Sequence, residues 1–306
     1  MPDTQPKQGI CLLVVWLGDW PVWMPMFLQS CSGNPDIHWY LLADRDYSGR
    51  LPDNVRVLLT SLAEVGALAS KVWSADLTPK FPYKVCDFKP SYGLMYPDIV
   101  RSYAYWGYTD LDICYGAIDR FVSAQDLLAQ QCDVFTAAPR VIVGHFTLFR
   151  NCDAINRLCL AVPQAAELMQ RENCEAFDEK AFAAYLTELA AAGRLKLMQG
   201  DIQLDDLHFQ WQRRRRWLVL KLGRSVWDVG TWRQVAYFHF MSSKYKSGYF
   251  SHSSVAGVTV AFSESRAVVL SGWRTWLTVL WLAVLAVCFA VPWNFRRALR
   301  RLFSGS

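Results

Sequence analysis

Tyr103-Ala-Tyr-Trp-Gly-Tyr-Thr-Asp110-Leu-Asp112-Ile-Cys-Tyr-Gly116 is an apolar, aromatic run that leads into two aspartates one residue apart. Such a run reads as a buried strand. If the strand alternates, residues 110 and 112 point to the same side at its end. Two carboxylates placed that way can hold one hard divalent cation, and such a cation commonly binds a diphosphate as well. Asp-x-Asp alone recurs by chance, and a solvated turn is the competing reading. The aromatic strand before the pair and Gly116 after it favour a site.

Working outward, Ile10 to Leu17 is a continuous apolar run, as expected for a buried parallel strand, and Gly18-Asp19-Trp20-Pro21 ends it. Residues 22 to 31 read as a helix. Ile37 to Ala43 and Val55 to Leu59 are further strands. Ser61 or Thr60 can cap a helix running to Lys71, with Glu64 in its first turn. Residues 75 to 90, with Pro79, Pro82 and Pro90, read as irregular, followed by a helix from Ser91 to about Arg101. Cys132 to Ala137 is a strand, and Gly144 to Phe149 an antiparallel one. Helices are expected over 153–161, 163–172 and 178–192, the last ended by Gly193. Strands alternating with helices argue for an α/β fold with a mixed, mostly parallel sheet flanked by helices.

With 306 residues the chain can form one large core or two linked domains, and 53% hydrophobic residues exclude disorder. Its 14 Trp suit sugar stacking or a membrane interface, and equally a filled core. The net charge of +5 is uneven: arginines cluster at 213–216 and at 296, 297, 300 and 301. That basic third suits anionic lipid or an anionic acceptor, and no nucleic-acid motif accompanies it. Arg213 to Arg216 can rest on headgroups, hold a lipid-diphosphate acceptor, or form a solvated hairpin. Nine scattered cysteines without Cys-x-x-Cys read as reduced, buried thiols of a cytosolic compartment. Met1 to Gln8 is polar and does not resemble a signal peptide.

Thr275 to Phe295 contains no charged residue, and crossing a bilayer takes about 20 apolar residues. Trp276, Trp281 and Trp293 are candidate interfacial anchors, while Phe295, Leu299, Leu302 and Phe303 share a helical face among arginines. The positive-inside rule puts the basic end in the cytoplasm. A single full span would then place residues 1 to 270 outside, where nucleotide sugars are scarce, so the segment either lies in or re-enters the inner leaflet, the preferred reading, or spans against the charge bias; a buried core helix is the alternative. The expected organisation is a domain over 1–250, a connection over 251–274 and a membrane-associating tail over 275–306.

Six blocks in one order carry a family resemblance: Trp16-Leu-Gly-Asp-Trp20-Pro; Tyr83-Lys-Val-Cys-Asp87-Phe-Lys89-Pro-Ser-Tyr-Gly93; Trp106-Gly-Tyr-Thr-Asp110-Leu-Asp112; Gly144-His145-Phe-Thr-Leu-Phe-Arg150-Asn151; Phe177-Asp178-Glu179; and Tyr237-Phe-His239-Phe. Over about residues 10 to 245 the chain resembles an uncharacterised, DUF6625-like family of bacterial glycosyltransferase-like proteins from polysaccharide gene clusters. The resemblance implies a GT-A, Rossmann-like nucleotide-diphospho-sugar transferase fold and a reaction class. It covers neither the substrate nor the tail. The family pattern has an acidic residue after the glycine of the aspartate block. Here that position is Ala117, which removes one carboxylate.

Each block has a role available. Asp110 and Asp112 would bind Mn²⁺ or Mg²⁺ against the donor's diphosphate. The resemblance implies that a late histidine, His239, completes the metal site, and an imidazole favours Mn²⁺; a purely hydrogen-bonding role is the alternative. Lys84, Lys89 and Arg140 can neutralise phosphate or be solvated. Asp87 is a further donor-binding candidate; the Asp87-Phe-Lys89-Pro90 spacing at a helix start favours a functional role for Lys89, and the helix after Pro90 would point amides toward an anion. Asp44 and Trp16, at strand ends, can meet the base and ribose, or serve as a turn residue and a packing residue. His145 contacts acceptor or sugar, or is structural. Asp178 and Glu179 can cap a helix; by resemblance they stand where GT-A enzymes keep the acid that binds the sugar or deprotonates the acceptor.

The expectation is thus a nucleotide-sugar-dependent glycosyltransferase at the cytoplasmic side of a bacterial inner membrane. Its partners would be a nucleotide-diphospho-sugar, a glycan or lipid-linked acceptor, membrane lipids and a polysaccharide assembly complex. A haloacid-dehalogenase phosphohydrolase needs its aspartates after the first strand and Thr or Val at position 114, which here is Cys. A non-catalytic membrane adaptor or glycan-binding protein is the reading from a different class.

Overall fold

The computed structural model describes residues 8–207, 218–250 and 259–269, together with positions 277, 280 and 284. The chain forms two compact units: one from residues 1–20, 34–111 and 122–202, the other from 21–33, 112–121 and 203–306.

The first unit is built on a seven-stranded sheet. Its order is Val55–Leu59, Ile37–Ala43, Ile10–Trp16, Tyr105–Thr109, Phe146–Arg150, Val134–Thr136, Leu197–Gln199. The first four of these are parallel, Phe146–Arg150 runs antiparallel to both neighbours, and the last pair is parallel again. This is the expected mixed, mostly parallel sheet, including the antiparallel strand read from residues 144–149. Helices Leu62–Trp73 and Ala181–Ala191 bury Val65, Ala69, Leu186 and Leu189 in the core beneath it. Ser61 caps the former in a capping box with Glu64, as its spacing predicts.

Every residue of Tyr105–Thr109 is buried. Trp106 stacks on Phe149 at 4.7 Å, and its indole N–H donates to Asn156 Oδ1 at 2.7 Å. Glycine is needed at position 93, where a Cβ would lie 2.5 Å from that indole.

Three expectations are corrected. Residues 82–91 form a 3-10 helix rather than an irregular stretch. The single helix expected from Ser91 is two four-residue turns, Tyr92–Met95 and Pro97–Val100, too short to focus amides on an anion. The segment 251–274, expected to be a connection, supplies the strands Thr259–Ser263 and Ala267–Val269.

The second unit holds a five-stranded antiparallel sheet and a three-stranded one. In the latter, Tyr237–His239 lies between Ile113–Tyr115, antiparallel, and Gln203–Asp205, parallel. Helix Met24–Ser32 belongs here, with Phe27 against Tyr115 at 5.9 Å. Met26, Cys114, Val219, Phe238 and Phe262 share its core. Among the described residues no helix is long and apolar enough to cross a membrane. Most of 275–306, and Arg213 to Arg216, lie outside the described residues. Among the described cysteines Cys152 is exposed and Cys86 and Cys174 are half-buried, so the thiols are not uniformly buried.

Candidate functional site

The sheet order reverses at Ile10–Trp16: the next two strands in the chain, Ile37–Ala43 and Val55–Leu59, lie to one side of it, and Tyr105–Thr109 lies to the other. Ligands of open α/β sheets sit outside the carboxyl ends of strands at such a switch point. Trp16, Asp44 and Asp110 all stand at those ends.

Asp110 directly follows Thr109, with its side chain one-third exposed. Its Oδ1 accepts from Lys89 Nζ at 2.8 Å. The same ammonium donates to Gly144 O at 2.8 Å and lies 4.0 Å from Asp178 Oδ2. Burial opposes the charge on Lys89, but Asp110 and Asp178 outweigh it and hold the amine protonated well above the ordinary lysine range. Asp178 is buried, which pushes its pKa up to about 7, while Lys89 pulls it down. A carboxyl that gains and loses a proton near neutrality can act as a general base.

Glu179 does not cap the following helix, which has Lys180 at its N-cap and no side-chain cap. Its Oε1 instead accepts from Gly144 N at 2.8 Å. Lys89 and Glu179 therefore grip the two sides of Gly144. A Cβ on Gly144 would collide with Asp178 Oδ2, so any side chain there would displace the Asp178 and Glu179 carboxylates. His145 is buried, and its carbonyl accepts from Thr109 Oγ1 at 2.9 Å. Arg140 is exposed in a turn at φ 68°.

Lys84 and Asp87 have another placement. Both are buried, with Lys84 Nζ 2.8 Å from Asp87 Oδ2. Lys84 also donates to Leu168 O and Asn173 O, at 3.2 and 3.1 Å. Asp87 accepts from the backbone N–H of Glu175 and Phe177, at 2.9 and 3.0 Å, and from Cys174 Sγ. Their polar atoms are turned inward on segment 168–177, which leads into Asp178. The structure thus assigns this pair to an internal clamp and brings only Lys89, of the block's charged residues, to Asp110. Lys89 stands near the end of its 3-10 helix, not at a helix start.

Asp44 Oδ1 accepts from Gly18 N and from Arg45 Nε, both at 3.1 Å. Arg45 also pairs with Asp19. The Arg45 hydrogen bond, then that of Gly18, holds the Asp44 carboxyl below its usual value. Trp16 donates to Asp19 O at 3.1 Å and Trp20 to Asp46 O at 3.0 Å, with Trp20 edge-on to Tyr47 at 5.8 Å. These contacts tie the loops after the first two strands together at the sheet's carboxyl edge.

In the second unit Asp112 lies in the bend just before strand Ile113–Tyr115 rather than extending the first strand. It is buried, and its Oδ2 lies 3.3 Å from His239 Nε2 and 2.6 Å from Lys244 Nζ. Strand register explains the first contact: His239 pairs with Ile113, and Phe240 N donates to Asp112 O at 3.0 Å. Burial raises the Asp112 pKa, but His239 and Lys244 outweigh it and hold the carboxylate well below its usual range. Lys244 sits on the 3-10 turn Ser243–Tyr245, whose start is fixed by buried Asp206 accepting from Ser242 N and Ser243 N at 3.0 and 2.5 Å. In the sequence only Leu111 separates Asp110 from Asp112.

Sequence reasoning missed Lys244 and Asp206. Lys244 stands five residues after His239, in Phe-Met-Ser-Ser-Lys, and that offset was the available signal. Asp206 lies in no motif.

The fold and site define a class: mixed α/β proteins with carboxylates at the switch point of a mostly parallel sheet. This chain belongs to a family of unknown function (DUF6625), whose model matches residues 12–264. No curated protein matches it. Among solved structures, the crystal structure of the glycosyltransferase GlyE in Streptococcus pneumoniae TIGR4 is similar over 64% of this chain and 46% of that one, with 12% identity and a TM-score of 0.31. The chain spans under half of that protein's length, and a likeness this distant bears on neither fold nor activity.

Proposed function

We propose that this chain is a metal-dependent glycosyltransferase of GT-A-like fold. It moves a sugar from a nucleotide-diphospho-sugar to a surface-polysaccharide or lipid-linked glycan acceptor. One observation carries the reading: Asp110 ends a strand beside the switch point, two residues from a buried carboxylate that faces an imidazole.

Asp110, Asp112 and His239 are the ligand set for Mn²⁺ or Mg²⁺. The donor chemistry supports this, since hard carboxylate oxygens suit either cation and the imidazole favours Mn²⁺. When bound, such a cation supplies charge that steadies the diphosphate as the nucleotide departs. Asp178 is the proposed base, taking the acceptor hydroxyl's proton on its carboxylate. Glu179 is a positioning residue that acts through Gly144. Lys89 and Arg140 are proposed for phosphate charge, Trp16 and Asp44 for the nucleoside, and His145 for the sugar.

The protein is further proposed to work at the cytoplasmic side of the inner membrane, within a polysaccharide assembly complex. The uncharged run 275–295 supports this. So do helical Leu277, Leu280 and Val284, spaced to share one face and more than half exposed.

The test is a screen of nucleotide-diphospho-sugars with Mn²⁺, following nucleotide release by the native protein and by Asp110→Asn/Asp112→Asn. Release that needs metal and vanishes in the double variant is expected. No release, and no metal-dependent binding of any donor by folded protein, would leave the second reading, a non-catalytic membrane adaptor. That reading has its own support: Lys89 and Lys244 already neutralise the two aspartates.

A further inference from the structure

We infer that Lys244 is a built-in counter-cation for Asp112, one that a divalent ion must displace. This rests on the reading of Asp112 as a metal ligand.

The ammonium lies 2.6 Å from Asp112 Oδ2, the same oxygen that faces His239 Nε2 at 3.3 Å. A cation shared by Asp112 and His239 through that oxygen therefore competes with Lys244 for it. Two cations in contact with one buried carboxylate oxygen repel strongly at low dielectric, so ion and ammonium exchange rather than coexist there.

Two further features fit such an exchange. Asp112 is 5% exposed and has to stay ionised to bind metal, so it needs a partner when no metal is present. Lys244 has a side chain 22% exposed, on a three-residue turn, so it can leave without unmaking the core. The turn is anchored through its backbone by Asp206. The ring of Tyr245, 5.0 Å from the ammonium, offers the lysine a second resting place. Lys244 would thus balance the charge of Asp112, and it would weaken the site's affinity for metal.

The experiment is Mn²⁺ binding, followed by electron paramagnetic resonance of the free ion, on the full chain and on Lys244→Met, Lys244→Arg and Asp112→Asn. A charge-assisted hydrogen bond lost on binding corresponds to roughly tenfold to a hundredfold. Lys244→Met is therefore expected to bind Mn²⁺ at least about tenfold tighter, with Lys244→Arg near the native value and Asp112→Asn much weaker. Native binding with Lys244→Met equal or weaker would overturn the inference and leave the metal reading standing. No binding by any variant would overturn both. Should Lys244→Met not fold, acylation of Lys244 in the native protein decides: Mn²⁺ is expected to speed it, and unchanged labelling in metal-bound protein would overturn the exchange.

Discussion

Replacing Asp87 with alanine would strand an ammonium inside the protein. Lys84 is 4% exposed and Asp87 fully buried, so neither charge has water to fall back on. Breaking a buried pair by removing one partner costs roughly 3–5 kcal/mol, because the survivor stays desolvated. Asp87 also accepts from Glu175 N and Phe177 N, and each buried donor left unsatisfied costs about 1–3 kcal/mol. These contributions overlap, so Asp87→Ala is expected to cost about 4 kcal/mol in all. Urea denaturation at pH 7 measures it. Hydrogen exchange should locate the damage at residues 168–178. Lys84→Met/Asp87→Leu separates the causes: it removes the stranded charge but leaves the backbone donors unpaired, so it should recover part of the loss. A single variant costing under about 1 kcal/mol, with exchange unchanged at 173–178, would refute the clamp. A double variant no better than Asp87→Ala would show that the backbone donors, not the stranded ammonium, dominate the cost.

Two more outcomes are expected. The Asp178 pKa of about 7 lies above its unfolded value of 3.8, so the native state holds this proton more tightly. Its contribution to stability is fully present below pH 3.8 and is lost as pH rises through 7; Asp178→Asn should remove that loss, worth roughly 4 kcal/mol between pH 4 and pH 8. Parallel native and variant stability–pH curves in urea would refute it. A Cβ on Gly107 would run into Thr147 O and lie 2.8 Å from Leu148 Cδ2, so Gly107→Ala should cost about 2 kcal/mol or more. An unchanged melting temperature would contradict the pairing of Gly107 with Leu148.

The strands were legible where local pattern and tertiary burial agree. Ile10–Trp16 and Ile37–Ala43 are apolar through most of their length because the sheet covers them, and Ser61 with Glu64 caps its helix through bonds made within one turn. The stretch 82–91 was misread because Pro82 and Pro90 mark breaks, while a 3-10 helix needs only i→i+3 bonds and tolerates proline at its ends. The two-unit division left no mark in composition: the second unit takes up 21–33 and 112–121 from the middle of the first. Asp110 and Asp112, adjacent in one motif, consequently belong to different sheets' surroundings.

The lysines of the block show where such reading stops. Lys84 and Lys89 are five residues apart on one 3-10 helix, and residue type alone offers either to a phosphate. What separates them is contributed from far along the chain. Lys84 meets the carbonyls of Leu168 and Asn173, which consume its donors in holding backbone. Lys89 meets Asp110 and Gly144 at a strand's carboxyl end, with Asp178 beyond. Residue type sets which charges are present, but the partner's sequence separation, 84 and 89 residues for Lys84 against 21 and 55 for Lys89, is a property of the topology. Lys84, paired with fully buried Asp87 and two carbonyls, is spent on structure. Lys89 also holds a carbonyl, but its aspartate partner is one-third exposed at a switch point, where solvent and ligands can reach it.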